Sequence, residues 1–447
     1  MGDPVGPDAA GWAQDDRAAV ARPPSTRTRV RTMARRRLAR IAWWLERRPA
    51  TEHALRQGRL VTVARTALAP RLAGARTRLR PGSVDAVGRD GLGRAIGAVA
   101  RRPVDTPFAF PQDTDGEIEV LDTLPGGAGF SPREVRRLRR RGVVRVEAPL
   151  TAESSGSLLQ LARAGVVLTA PTSAPSSPLG AVLDATVDPC DHRARELQSI
   201  RVRRAAWAEE VGTTTQVSVL LATRRPDELP GAVDQVARQH GCDVQLCVGL
   251  HGPHWDADTE ERIGERFEGP SVIERFGDDV DLGTMLDRLA RRAEGRVVVK
   301  WDDDDLYGDE HLLDLVLAHH YSGAELVGKA AEFVHLGGSD ITIRRFAIGA
   351  ERPSTTLAGG TLLVERTHLH ELGGWPPGPK RVDALLIAAV LEAGGTCYRT
   401  HGFQFILRRR RDDADGHTWS APDDYFLRDA VDQAPGLALD LADIGHR

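Results

Sequence analysis

Lysine is almost missing from this sequence. Only Lys300, Lys329 and Lys380 occur in 447 residues, so nearly all of the positive charge is arginine. Such a bias follows from genome composition, and single arginines therefore carry little weight in the reading. Cysteine is scarce as well. Cys190, Cys242, Cys247 and Cys397 are scattered with no C-x-x-C spacing, which excludes a disulfide framework and a cysteine-ligated metal centre. Cys247 sits in an apolar strand pattern and reads as core, and a reduced compartment fits. No apolar run approaches the length of a membrane span, and no signal-peptide pattern is present. The expected location is cytoplasmic, with peripheral contact at the inner face of the membrane as an option. Neither sign of charge dominates. The net charge of −3 and a pI near 6.6 argue against a nucleic-acid-binding protein. The length predicts two or three domains, and 41% hydrophobic residues can support sizeable cores.

What is present centres on Arg296-Val297-Val298-Val299-Lys300-Trp301-Asp302-Asp303-Asp304-Asp305-Leu306-Tyr307. A β-branched run without alternation reads as a strand buried on both faces. It ends in four consecutive carboxylates, which repel one another and are expected to need a compensating cation. Oxygen ligands suit Mg²⁺ or Mn²⁺, and the carboxyl edge of an open sheet is where α/β folds bind ligands. The alternative is a solvated acidic turn ahead of a helix beginning near Glu310.

Residues 1–27, rich in Pro, Gly, Asp and Ala, read as a disordered tail. Residues 28–82 read as a basic helical segment. Within Arg27–Arg48, arginines interleave with Ile41, Trp43, Trp44 and Leu45, so this stretch could lie on an anionic membrane surface or pack at a domain edge. Residues 83–210 form a smaller α/β accessory region, with strands at 117–121 and 143–146, a capping box at Ser131-Pro132-Arg133-Glu134 and a long charged helix from Asp191. From 213 to 425 strands alternate with helices of about a dozen residues, which predicts βαβ units and a mostly parallel sheet flanked by helices. Residues 426–447 read as a carboxyl-terminal tail.

Residues 215–420 resemble the family 2 glycosyltransferases of GT-A fold. Val217 to Pro226 is similar to that family's first strand and nucleotide turn. Asp302-Asp303-Asp304-Asp305-Leu306-Tyr307 resembles its D-x-D-D-x-Y metal motif. Ala358 to Val364, followed by Leu372-Gly373-Gly374-Trp375, resembles its acceptor-side strand and turn. Val382-Asp383-Ala384-Leu385-Leu386 sits where the family has its Glu-Asp base motif, with Val382 replacing the usual Glu.

The resemblance implies transfer of a sugar from a nucleotide-diphospho-sugar to a hydroxyl on a glycan, lipid-linked or small-molecule acceptor, by an inverting mechanism and with Mn²⁺ or Mg²⁺. Asp302 would lie near ribose and metal, Asp304 would ligate the metal, and His417 could be a third ligand. Asp303 and Asp305 would support them. Asp383 would be the general base, its alternative being an ordinary helix N-cap. Thr223, Arg224 and Arg225 would cradle base or phosphate, His251 takes the place of a base-contacting Asp, and Arg408 would bind phosphate. Two other classes compete. One is a nucleotide-sugar-binding regulatory module without catalysis. The other is a nucleotidyltransferase, which would want a glycine-rich loop that Ala222-Thr223-Arg224-Arg225-Pro226 lacks.

Overall fold

The computed structural model describes residues 114, 116–127, 129–170, 178–207, 211, 215–345, 350–410 and 423–445. The expected tail at 1–27, the basic segment 28–82 with the Arg27–Arg48 membrane contact, and His417 all lie outside the described residues.

The accessory region contains β1 (Ile118–Leu121), β2 (Val143–Val146) and β3 (Leu168–Thr169), a parallel three-stranded sheet. Four helices accompany it: α1 (Pro132–Leu138), α2 (Ala152–Arg163), α3 (Pro178–Leu183) and α4 (His192–Trp207). The capping box read from the sequence forms at α1. The Ser131 hydroxyl accepts from the Glu134 amide, and the Glu134 carboxylate accepts from the Ser131 amide.

The second region alternates as its periodicity predicts: β4 (Gln216–Thr223), α5 (Leu229–Ala237), β5 (Asp243–His251), α6 (Thr259–Arg266), β6 (Ser271–Phe276), α7 (Leu282–Arg292) and β7 (Val297–Trp301). The four strands pair in parallel in the order β7-β4-β5-β6. The chain continues through β8 (Leu306–Tyr307), α8 (His311–Ser322), β9 (Leu326–Gly328), β10 (Phe333–Leu336), β11 (Ile341–Arg345), β12 (Arg352–Pro353), β13 (Leu363–Glu365), α9 (Arg366–Glu371), α10 (Val382–Glu392), β14 (Cys397–Arg399), β15 (Phe405–Arg409), α11 (Asp423–Leu427) and β16 (Ala430–Pro435). The main sheet then reads β12-β14-β9-β13-β7-β4-β5-β6, with β13 antiparallel to both neighbours. The fold is therefore α/β with a mostly parallel sheet flanked by helices, preceded by a smaller α/β region, as expected.

Both faces of the central strands are covered, which is why their sequences do not alternate. Val217, Val219 and Leu221 pack with Val299 and Trp301 on the α5 and α8 side. Leu220, Cys247 and Val298 pack on the α7 and α10 side. Cys247 is core, as expected, and burial pushes its thiol up to about 12.

A second sheet, β16-β11-β10-β15-β8, joins strands that no local sequence pattern links. Its edge strand corrects the expected tail at 426–447: Ala430–Pro435 pairs antiparallel with β11, and Ile444 is buried against Ile200 and Phe403. Ala430, Asp432 and Ala434 on one side of the strand and Val431, Gln433 and Pro435 on the other give no apolar face, because this edge strand is held by backbone pairing.

Helix α4, read as the end of the accessory region, is bound into the residues that follow 213. Three buried ion pairs hold it: Arg203 with Glu351, Arg204 with Asp314, and Glu196 with Arg344. No described helix is long and apolar enough to cross a membrane.

Candidate active site

Right-handed crossovers bring the loops after parallel strands to one sheet edge. The turn after β4 and the acidic turn after β7 meet there. The Thr223 hydroxyl donates to Asp303 and accepts from the Arg225 amide. The Arg225 guanidinium lies 2.5 Å from Asp303 Oδ1 and 2.9 Å from Asp304 Oδ2. Burial opposes the charge of Arg225, but Asp303 and Asp304 outweigh it and raise its pKa. Burial likewise pushes Asp303 up to about 6 against the pull of Arg225. Asp305 is buried and accepts from the Arg408 amide at 3.0 Å. Burial, then the neighbouring Asp304 and Asp302, hold its carboxyl well above the ordinary range.

Tyr307 fixes the far side of the turn. Its ring stacks on Trp301 with centroids 3.8 Å apart. Its hydroxyl accepts from the Asp302 amide and donates to the Gly360 carbonyl, both at 3.0 Å. The Gly359-Gly360 turn thereby lies directly against two carboxylates. A Cβ on Gly360 would stand 2.8 Å from Asp302 Oδ2, and one on Gly359 would stand 2.2 Å from Asp383 Oδ2. Only glycines allow this approach.

Asp383 lies in the first turn of α10, but it does not cap the helix. The N-cap is Arg381, in the left-handed region at φ 63°, and no side chain caps the helix end. The Asp383 carboxylate instead sits 3.5 Å from Lys300 Nζ. Burial raises its pKa, Lys300 pulls it back and Asp302 raises it further.

Lys300 was not singled out from the sequence. Its side chain is 4% exposed, and Nζ donates to Asp302 Oδ1 at 2.5 Å while facing Asp383. Burial opposes its charge, but Asp302 and Asp383 together outweigh burial and hold its pKa above the ordinary lysine value. A single lysine within an apolar strand gives no periodic signal. Its scarcity in this chain was the one hint available.

These contacts correct one step of the sequence argument. The repulsion of four carboxylates does not by itself require a divalent cation, because Lys300 pairs with Asp302 and Arg225 is shared by Asp303 and Asp304. By donor chemistry Asp302 and Asp304 fit Mg²⁺ or Mn²⁺. Among the described residues, however, no three His, Cys, Asp or Glu side chains are gathered as a metal-ligand group.

The remaining expected site residues divide. Arg408 is near the acidic turn, but its guanidinium pairs with Glu228 Oε2 at 3.0 Å, and Arg410 pairs with the same carboxylate. Arg224 is exposed. His251 ends β5, half-buried, with its carbonyl accepting from the Trp255 indole at 3.0 Å and its Nε2 unpartnered. Glu228 is the further residue that the sequence reading missed. It lies 180 positions from Arg408, so no local pattern joins them.

No protein-family model matches the chain, and no curated protein matches it. Among solved structures, it is similar to S. aureus TarS 1-349 in complex with UDP-GlcNAc, with a TM-score of 0.36 and 13% identity over 47% of this chain and 64% of that one. It is similar to the mannosyltransferase PcManGT from Pyrobaculum calidifontis in complex with GDP-Man and Mn²⁺, with a TM-score of 0.34 and 13% identity over 48% of this chain and 65% of that one. It is also similar to GalNAc-T7 with UDP, GalNAc and Mn²⁺, with a TM-score of 0.36 and 14% identity over 45% of each chain. The chain thus spans less than two thirds of the length of each of these structures.

Proposed function

We propose that this chain is a glycosyltransferase that moves a sugar from a nucleotide-diphospho-sugar to an acceptor hydroxyl, with inversion at the sugar carbon. The observation that carries the reading is the convergence of Asp302 and Asp383 on the Gly359-Gly360 turn, beside the Thr223–Arg225 turn at the sheet's carboxyl edge. That edge is where α/β sheets bind nucleotides, and the glycines put backbone, not side chains, against the two carboxylates.

In this reading Thr223, Arg224, Arg225 and His251 line the nucleotide side. Asp302 and Asp304, with His417, would hold Mn²⁺ or Mg²⁺, which when bound neutralises a diphosphate. Arg408 is released to a phosphate only if it leaves Glu228. Asp383 takes the proton of the acceptor hydroxyl as that oxygen attacks the sugar carbon. A carboxylate with a raised pKa is the better base for this task. The acceptor is a glycan, a lipid-linked glycan or a small molecule.

A binding module without catalysis is the second reading, favoured by the prior engagement of Asp302 by Lys300 and of Asp304 by Arg225. Donor hydrolysis separates the two. An enzyme releases nucleoside diphosphate from its donor in the presence of Mn²⁺, and release is lost on chelation. A bound but intact donor after prolonged incubation would favour the module.

A further inference from the structure

We infer that Lys300 is a built-in counter-ion that competes with a divalent cation for Asp302 and holds the acceptor-side carboxylate Asp383 in register with it. The inference rests on the reading of Asp302 as a cation-binding carboxylate. Its grounds are geometric. Lys300 is anchored in β7, an interior strand of the main sheet, with a buried side chain. Its ammonium spans the two carboxylates, 2.5 Å from Asp302 Oδ1 and 3.5 Å from Asp383 Oδ1. Asp383 Oδ1 is buried and is met by Lys300 across an ion-pair distance rather than a hydrogen bond. Asp302 Oδ2 faces the Gly360 turn, so one oxygen is held by the protein while the other faces the turn.

A cation arriving at Asp302 must therefore share it with an ammonium that cannot leave the strand. Two positive charges within a few ångströms of one carboxylate repel strongly at partial burial. The chain is thus built to bind metal weakly when alone. A diphosphate, carrying its own negative charge, would shift that balance, so metal and nucleotide are expected to bind together. With metal on Asp302, the ammonium stays beside Asp383 and keeps that carboxylate in place. Lys300 is in these terms a positioning residue.

The test titrates Mn²⁺ alone into the full chain. Lys300→Met and Lys300→Gln are expected to bind Mn²⁺ at least about tenfold more tightly than the parent, because a competing charge has gone. Lys300→Arg keeps the charge and is expected to stay within about threefold of the parent. Parent-like or weaker Mn²⁺ binding in folded Lys300→Met and Lys300→Gln would overturn the assignment. A second measurement uses the parent protein and so does not depend on the neutral variants folding. With three lysines in the chain, ¹⁵N-lysine labelling resolves three ammonium groups, and Lys300→Arg identifies the one that belongs to Lys300. Saturating Mg²⁺ should move that signal and leave Lys329, buried against Asp314, in place. An unmoved Lys300 signal would overturn the assignment as well. If no nucleotide sugar binds any version while the neutral variants still gain Mn²⁺ affinity, the counter-ion role stands and the transferase reading falls.

Discussion

Asp383→Asn is expected to slow sugar transfer by about two to four powers of ten, the range for loss of a general base, while donor affinity stays within about threefold. The substitution is nearly isosteric. It removes the charge that pairs with Lys300 but adds no bulk against Gly359, whose backbone abuts Asp383 Oδ2. The helix should not suffer, since Arg381 and not Asp383 is the N-cap of α10. A further signature lies in the pH profile. Burial raises the folded pKa of Asp383, so the active, ionised form accumulates as pH rises through a value above that of an ordinary aspartate. The acid limb of the parent's rate profile should lie there, and Asp383→Asn should lose that limb. Transfer within about threefold of the parent would contradict the base assignment.

The largest effect on stability is expected at Asp314. Its carboxylate in α8 is 1% exposed and serves three basic groups: Arg204 at 2.7 Å, Lys329 at 2.9 Å and His401 at 3.4 Å. Burial opposes its ionisation, but Arg204, His401 and Lys329 outweigh burial and hold its pKa well below the ordinary value. Asp314→Asn strands two buried cations. Breaking a buried pair in this way costs about 3–5 kcal/mol, on the order of 10 °C in the unfolding midpoint for a unit of this size. Glu310 and Asp443 lie 4.0 and 3.9 Å from Arg204 and offer only weak replacement. The sign with pH follows from the depressed pKa. The contribution is fully present above the unfolded carboxylate value and is lost as pH falls from there through the lower, folded value. Thermal unfolding of Asp314→Asn within about 2 °C of the parent would show that these charges are balanced elsewhere.

What was legible in the sequence is what depends on local pattern. The alternation of β4 to β7 with α5 to α7 follows from unbroken apolar strands and amphipathic helices, and the α1 cap follows from Ser131 and Glu134 three positions apart. The acidic turn after β7 was visible because four carboxylates in a row are unusual. What was not legible depends on contacts across the chain. Arg225 reaches Asp303 over 78 positions, and Arg408 reaches Glu228 over 180. Discounting arginine as background concealed Arg203, Arg204 and Arg344, which are buried and paired. The same three arginines tie α4 to Glu351, to α8 and to β11, so a charged helix read as the end of the accessory region is part of the core. β16 escaped notice because an edge strand needs only backbone pairing.

The measurement that tests the account most directly is a thermal-shift titration of the full chain with nucleotide-diphospho-sugars in the presence of Mn²⁺, run beside Asp304→Ala. Asp304 shares Arg225 with Asp303, and removing one of several crowded carboxylates should leave the unliganded protein as stable as before. At least one nucleotide sugar is expected to raise the unfolding midpoint of the parent by several degrees, roughly the shift for ligand at 100 times its Kd, and to leave that of Asp304→Ala unmoved. A parent that no nucleotide sugar stabilises, or an equal shift in Asp304→Ala, would contradict the assignment of a donor site to the carboxyl edge of this sheet.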